Sequence, residues 1–104
     1  MAAILILTTM PDLKTAKAAA RSLVAARLAA CVSTREGWES YYRWKGRTER
    51  ARETLVLIKT LRKKFDAVKK FLKKIHPYEV PEIISVPVSR GSVEYLSWLR
   101  QSVK

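Results

Sequence analysis

Apolar and polar positions alternate with two different periods along this chain, and the switches between them outline its elements. Ala2 to Leu7 is a continuous apolar run that stops at Thr8-Thr9, which predicts a buried strand. Thr9 or Asp12 can cap the helix that follows, with Pro11 near its first turn. From Leu13 the apolar positions Ala16, Ala20, Leu23, Val24 and Leu28 recur at helical spacing, with Lys14, Lys17 and Arg21 on the other side, so a helix is expected over 12–29. Residues 31–44 read as strand broken by a turn signal at Glu36-Gly37. Beyond it Trp38, Ser40, Tyr42 and Trp44 alternate with Glu39, Tyr41 and Arg43, a period of two. Lys45-Gly46 stands where a tight hairpin turn falls, and the return strand is clearest over 54–60, with polar residues 47–53 extending it outward. Leu61, Phe65, Val68, Leu72 and Ile75 then form one helical stripe, and lysines cover the rest. Pro77 disfavours the α region at His76, so this helix should end there. A strand over 82–88, a turn at Arg90-Gly91 and a helix over 93–102 capped by Ser92 complete the chain.

The order is β-α-β-β-α-β plus a terminal helix, read as one domain over residues 1–104. Two right-handed β-α-β units of this kind give an α+β, ferredoxin-like sandwich, an antiparallel four-strand sheet with helices on one face. One hairpin is too long for that frame. Residues 47–60, if fully extended, span roughly 46 Å at about 3.3 Å per residue. A domain of this size has a diameter of roughly 34 Å. The hairpin tip with its aromatic residues should therefore overhang the subunit, and an exposed aromatic strand edge calls for a partner, so a homo-oligomer is expected.

Composition changes this picture in one respect. The 48% hydrophobic content suits a single core, and no apolar run approaches the ~20 residues of a membrane span, so no membrane partner is expected. The opening apolar run is too short and lacks the basic start of a signal peptide, and the lone Cys31 excludes an internal disulfide framework; both point to a soluble, cytoplasmic protein. The net charge of +12 is the departure from the ordinary. It attracts polyanions, and the lysine face of residues 62–74 makes weak, salt-sensitive, non-specific nucleic-acid binding a third reading of function.

Six ordered segments carry a resemblance. Leu7-Thr8-Thr9-Met10-Pro11-Asp12, Arg27-Leu28-Ala29-Ala30-Cys31-Val32, Tyr42-Arg43-Trp44-Lys45-Gly46, Leu57-Ile58-Lys59-Thr60, His76-Pro77-Tyr78-Glu79-Val80-Pro81-Glu82-Ile83-Ile84 and Glu94-Tyr95-Leu96-Ser97-Trp98-Leu99 together resemble the CutA divalent-cation-tolerance family. The resemblance implies a homotrimer in which long hairpins extend the sheets of neighbours, and a likeness to the PII signalling proteins. It implies a link to tolerance of copper and other divalent ions, and no established catalytic activity. Some members carry a copper-binding cysteine where this chain has Thr8, and two consecutive histidines where it has Ile75-His76. Members also often have acids where this chain has Lys45, Thr48, Arg50, Ala51 and Arg52.

Candidate chemistry is sparse. His76 and Cys31 are the candidate metal ligands, for copper(II) or another divalent cation bound weakly at most, with no cofactor required. The competing readings are a helix-ending, locally bonded His76 and a buried, inert Cys31 thiol. Lys59, Tyr78 and Glu82 are candidates to line an inter-subunit cleft, the basis of the alternative reading as a PII-like signalling or interaction module. Trp38, Tyr42 and Trp44 are expected at the trimer interface. An enzyme is not expected: the chain has no Gly-rich phosphate loop, no G-x-S-x-G, no H-E-x-x-H and no C-x-x-C.

Overall fold

The computed structural model describes residues 2–104. Its elements are β1 (Ala3–Met10), α1 (Leu13–Ala25), β2 (Cys31–Trp44), β3 (Arg47–Leu61), a short 3-10 turn (Arg62–Lys64), α2 (Phe65–Ile75), β4 (Ile84–Pro87) and α3 (Val93–Ser102). The strands form one antiparallel sheet in the order β2-β3-β1-β4, the order that two β-α-β crossovers impose.

Strand alternation sorts the side chains onto two faces. Ile4, Ile6 and Met10 of β1 and Val56 and Ile58 of β3 point toward α1 and α2, where they meet Ala16, Ala19, Leu23, Val68 and Leu72 in the main core. Each large side chain fully buried there stabilises the fold by about 1.5–3 kcal/mol. The alternate residues face the other way. There α3 covers only one end, where Leu99 and Val103 pack with Ala3, Ala30 and Leu61. Leu61 thus belongs to this second cluster and not to the α2 stripe, because β3 runs on through it. The 3-10 turn occupies the first turn of the helix expected over 61–75. β4 is shorter than the expected 82–88, and Pro87 is tolerated because β4 lies at the edge of the sheet.

The helix expected over 12–29 stops at Ala25. Arg27 adopts φ 58° in the left-handed region; its N–H bonds Val24 C=O, and Leu28 N–H reaches back to Leu23 C=O, both at 3.0 Å. This is a Schellman ending with arginine where glycine is usual. The Arg27 side chain is held across the molecule, donating to the carbonyls of Gln101 at 2.7 Å and Ser102 at 3.2 Å. One residue therefore ends α1 and satisfies carbonyls at the end of α3.

The hairpin overhangs as expected, and the molecule measures 44 × 26 × 23 Å. Beyond the Met10–Thr54 pair β1 is absent, so the hairpin continues as a two-stranded ribbon closed by Lys45 and Gly46, both with positive φ as a type I′ turn requires. Glu36-Gly37 does not break β2. It forms a bulge, two residues opposite Thr54, with Gly37 at φ 80°. The extra residue inverts the phase of the strand. Before it Cys31, Ser33 and Arg35 share a face with Lys59, Leu57 and Leu55; after it Trp38, Ser40, Tyr42 and Trp44 take over that face.

Candidate functional site

Two places in the fold collect the residues singled out in the sequence. The first is the junction between α2 and β4. Pro77 holds His76 extended at ψ 126°, which ends α2 beside the C-terminal end of β1. Thr9 C=O can only accept, so the 2.7 Å contact fixes the proton on Nε2 of His76, with Thr8 Oγ1 at 3.4 Å from the same nitrogen. Nδ1 then carries the lone pair, and Tyr78 N–H donates to it at 3.3 Å. Burial pushes the His76 imidazole below its ordinary value, and its bond to Thr9 and the nearby Glu53 charge oppose that shift.

Tyr78 continues the network. Its hydroxyl donates to Glu53 Oε2 at 2.8 Å, and Thr9 Oγ1 donates to the same oxygen at 3.1 Å. Burial and this bond raise the Tyr78 phenol well above its ordinary value, so it remains a donor. Glu53 is only 8% exposed. A buried carboxylate needs such partners, since an unmet one costs several kcal/mol. In the sequence Glu53 falls among the polar residues that extend the strand outward, and nothing in its immediate neighbours marks a role. The available signal was its phase: it stands two residues before Leu55 in the same alternation.

Glu53 also lines an open cleft of about 370 Å³ with Pro11, Asp12, Glu36, Gly37 and Arg52. The bulge at Glu36-Gly37 forms one wall of it.

The second place is the sheet face opposite α1 and α2. Strand pairing sets Leu5, Leu7, Leu55, Leu57, Ile84 and Val86 side by side there. Ile84 is 51% and Val86 46% exposed. Through the bulge this face runs on into Trp38, Tyr42 and Trp44 along the hairpin, all partly exposed. The opposite side of the ribbon is polar, with Arg50 paired to Glu39 at 2.7 Å and Tyr41 donating to Glu39.

The remaining candidates are scattered within one chain. Cys31 is partly buried, its Sγ 4.0 Å from Ser33 Oγ, and it stands opposite Lys59, four residues along β3 from the strand position that faces Thr9. Cys31 and His76 are therefore on separate parts of the sheet. Among the described residues no three His, Cys, Asp or Glu side chains converge as a metal site. The donor set does not fit a tightly held metal within a single chain: His76 has both ring nitrogens engaged, and Cys31 has no second ligand beside it. Lys59 lies six residues along β3 from Glu53 and Tyr78, about 20 Å, with its Nζ 6.0 Å from the Tyr95 ring, and Glu82 is an exposed loop residue. A single chain does not bring Lys59, Tyr78 and Glu82 together.

A four-strand antiparallel sheet, three helices and an overhanging hairpin define an α+β subunit of the ferredoxin-like class. The chain belongs to the CutA1 divalent ion tolerance protein family, whose sequence pattern matches residues 4–102. It is a homologue of divalent-cation tolerance proteins, being 43% identical to the Thermus thermophilus protein CutA over 93% of this chain and 94% of that relative. The crystal structure of CutA from Xylella fastidiosa superposes with a TM-score of 0.94 at 43% identity, covering 98% of both chains. The rice protein CutA 1, described as chloroplastic, is 38% identical over 97% of this chain, which spans 57% of that longer relative.

Proposed function

We propose that this chain acts as a non-enzymatic homotrimer in divalent-ion tolerance, with divalent-metal contact weak at most. The observation that carries the assembly is the continuous apolar face from Val86 across Leu5, Leu7, Leu57 and Leu55 to the hairpin aromatics. Among the described residues no helix covers its centre, and a contiguous apolar surface of this kind marks an association site. A trimer places Trp38, Tyr42 and Trp44 at subunit contacts and gives the overhanging ribbon edges partner strands. Copper(II) or a similar ion reaching His76 displaces Tyr78 N–H from Nδ1, which keeps that contact weak. Cys31 can add a thiolate only across subunits. The unpaired thiol suits a reducing cytoplasm.

Multi-angle light scattering tests the assembly: three times the 11.9 kDa of one chain is expected, and a monomer removes this reading together with its shared cleft. A second reading, a PII-like signalling or interaction module, is favoured by the cleft of about 370 Å³ beside the bulge. That volume suits a small polar ligand. In the trimer, Lys59, Tyr78 and Glu82 from different subunits would complete such an inter-subunit cleft.

A further inference from the structure

The helical layer carries a charge imbalance that neither the metal reading nor the assembly uses. Lys14, Lys17 and Arg21 lie exposed along α1. The segment Arg62–Lys74 adds seven cations, and Asp66 is the one acid among them. Nine of the twelve net positive charges therefore sit on this layer. The only ion pair among the described residues is Arg50 with Glu39, far away on the hairpin. The hairpin over residues 31–61 holds the other three, because Glu36, Glu39, Glu49 and Glu53 offset four of its seven cations.

Geometry orders these charges. Val68 and Leu72 turn inward on α2, so Lys70 and Lys74 point outward in one row and Lys69 and Lys73 run in a second row along its flank. Within a row the ammonium groups repeat every four residues, about 6 Å. Phosphates along one strand of a duplex rise about 3.4 Å each, so a row spans about two of them. The aromatics of α2 do not offer a stacking surface, because Phe65 and Phe71 pack against the core. Lysines are point charges that bind phosphate without reading bases.

We propose that the outer surface of α2, flanked by α1, is a docking surface for double-stranded nucleic acid, gripped through its phosphates without regard to sequence. Charge complementarity names the partner, and the lack of exposed aromatics on this layer favours a duplex over a single strand. The layer lies on the sheet face opposite the open one, so self-association leaves it free.

Fluorescence anisotropy with a labelled 20-base-pair DNA duplex tests this on the full chain. With about four phosphates neutralised, affinity should fall roughly 150-fold between 50 and 200 mM salt. Two unrelated duplex sequences should bind alike. Lys70→Glu with Lys74→Glu should weaken binding at least about 30-fold at 50 mM salt, whereas Arg43→Glu with Arg90→Glu, the same change in net charge elsewhere, should alter it by about 3-fold or less. All four positions are exposed, and circular dichroism verifies that each variant is folded. Equal losses in the two variants would reduce the effect to net charge and overturn the surface. Absence of duplex binding at 50 mM salt, or tighter binding to phosphatidylserine vesicles than to the duplex, would overturn the partner.

Discussion

The junction around His76 and the open face of the sheet differ in what a single chain leaves unfinished. At the junction, Thr9, Glu53, His76 and Tyr78 satisfy one another through hydrogen bonds of 2.7–3.3 Å. Among the described residues no buried side-chain nitrogen or oxygen lacks a partner. On the open face, Leu5, Leu7, Leu55, Leu57, Ile84 and Val86 lie together, and none of the described elements covers their centre. The contrast separates two jobs. The polar cluster locks the end of β1, the end of α2 and the root of the hairpin into one arrangement. The apolar face leaves contiguous hydrocarbon in contact with water, the mark of an association site, and the proposed trimer would cover it.

Breaking the open face should have the largest effect. Leu57→Asp places a carboxylate at its centre, so the mass measured by light scattering is expected to fall from three chains to one, with loss of about 2 kcal/mol or more per subunit. An intact trimer in that variant would mean the face is not where copies meet.

Breaking the junction should lower the stability of each subunit and leave assembly intact, a smaller effect on the whole molecule. Glu53→Ala removes the acceptor of both Thr9 and Tyr78, and urea unfolding is expected to show a loss of about 2–4 kcal/mol, since one buried and one part-buried hydroxyl donor lose their charged partner. A change under about 0.5 kcal/mol would show that the network contributes little.

The smallest effect is in pH. The folded chain holds His76 neutral, below its ordinary value of 6.5, so below that pH the unfolded chain takes up a proton that the folded chain refuses. Stability from this group therefore falls as pH drops from 6.5 through the lower folded value, and levels off beyond it. His76→Gln keeps a donor for Thr9 C=O and removes the titration. The stability advantage of the parent chain over this variant is expected to shrink over that window and stay constant above it. A pH-independent difference between pH 4 and 7 would contradict the neutral assignment.

Much of this was legible in the periods of the sequence. The strand and helix order, the Lys45-Gly46 turn, the Ser92 cap and the overhang follow from alternation, glycine and proline placement and length. What was hidden depended on distant partners. Arg27 ends α1 without a glycine because Gln101 and Ser102 hold its side chain. Glu36-Gly37 resembled a turn, and only pairing with β3 shows a bulge that redirects the aromatics. Glu53 looked like surface because its partners are 44 and 25 residues away. His76 was visible as the end of a helix, but the two bonds that occupy its ring were not.

Hydroxyl-radical footprinting of the protein in solution tests most directly whether copies of the chain cover the open face. Tyr41 lies on the polar side of the hairpin and is 67% exposed, whereas Tyr42 is its neighbour on the aromatic side at 44%. Measured against the unfolded chain, Trp38, Tyr42 and Trp44 should be protected in the assembled protein while Tyr41 is oxidised freely. Oxidation of Tyr42 and Trp44 as rapid as that of Tyr41 would contradict the account.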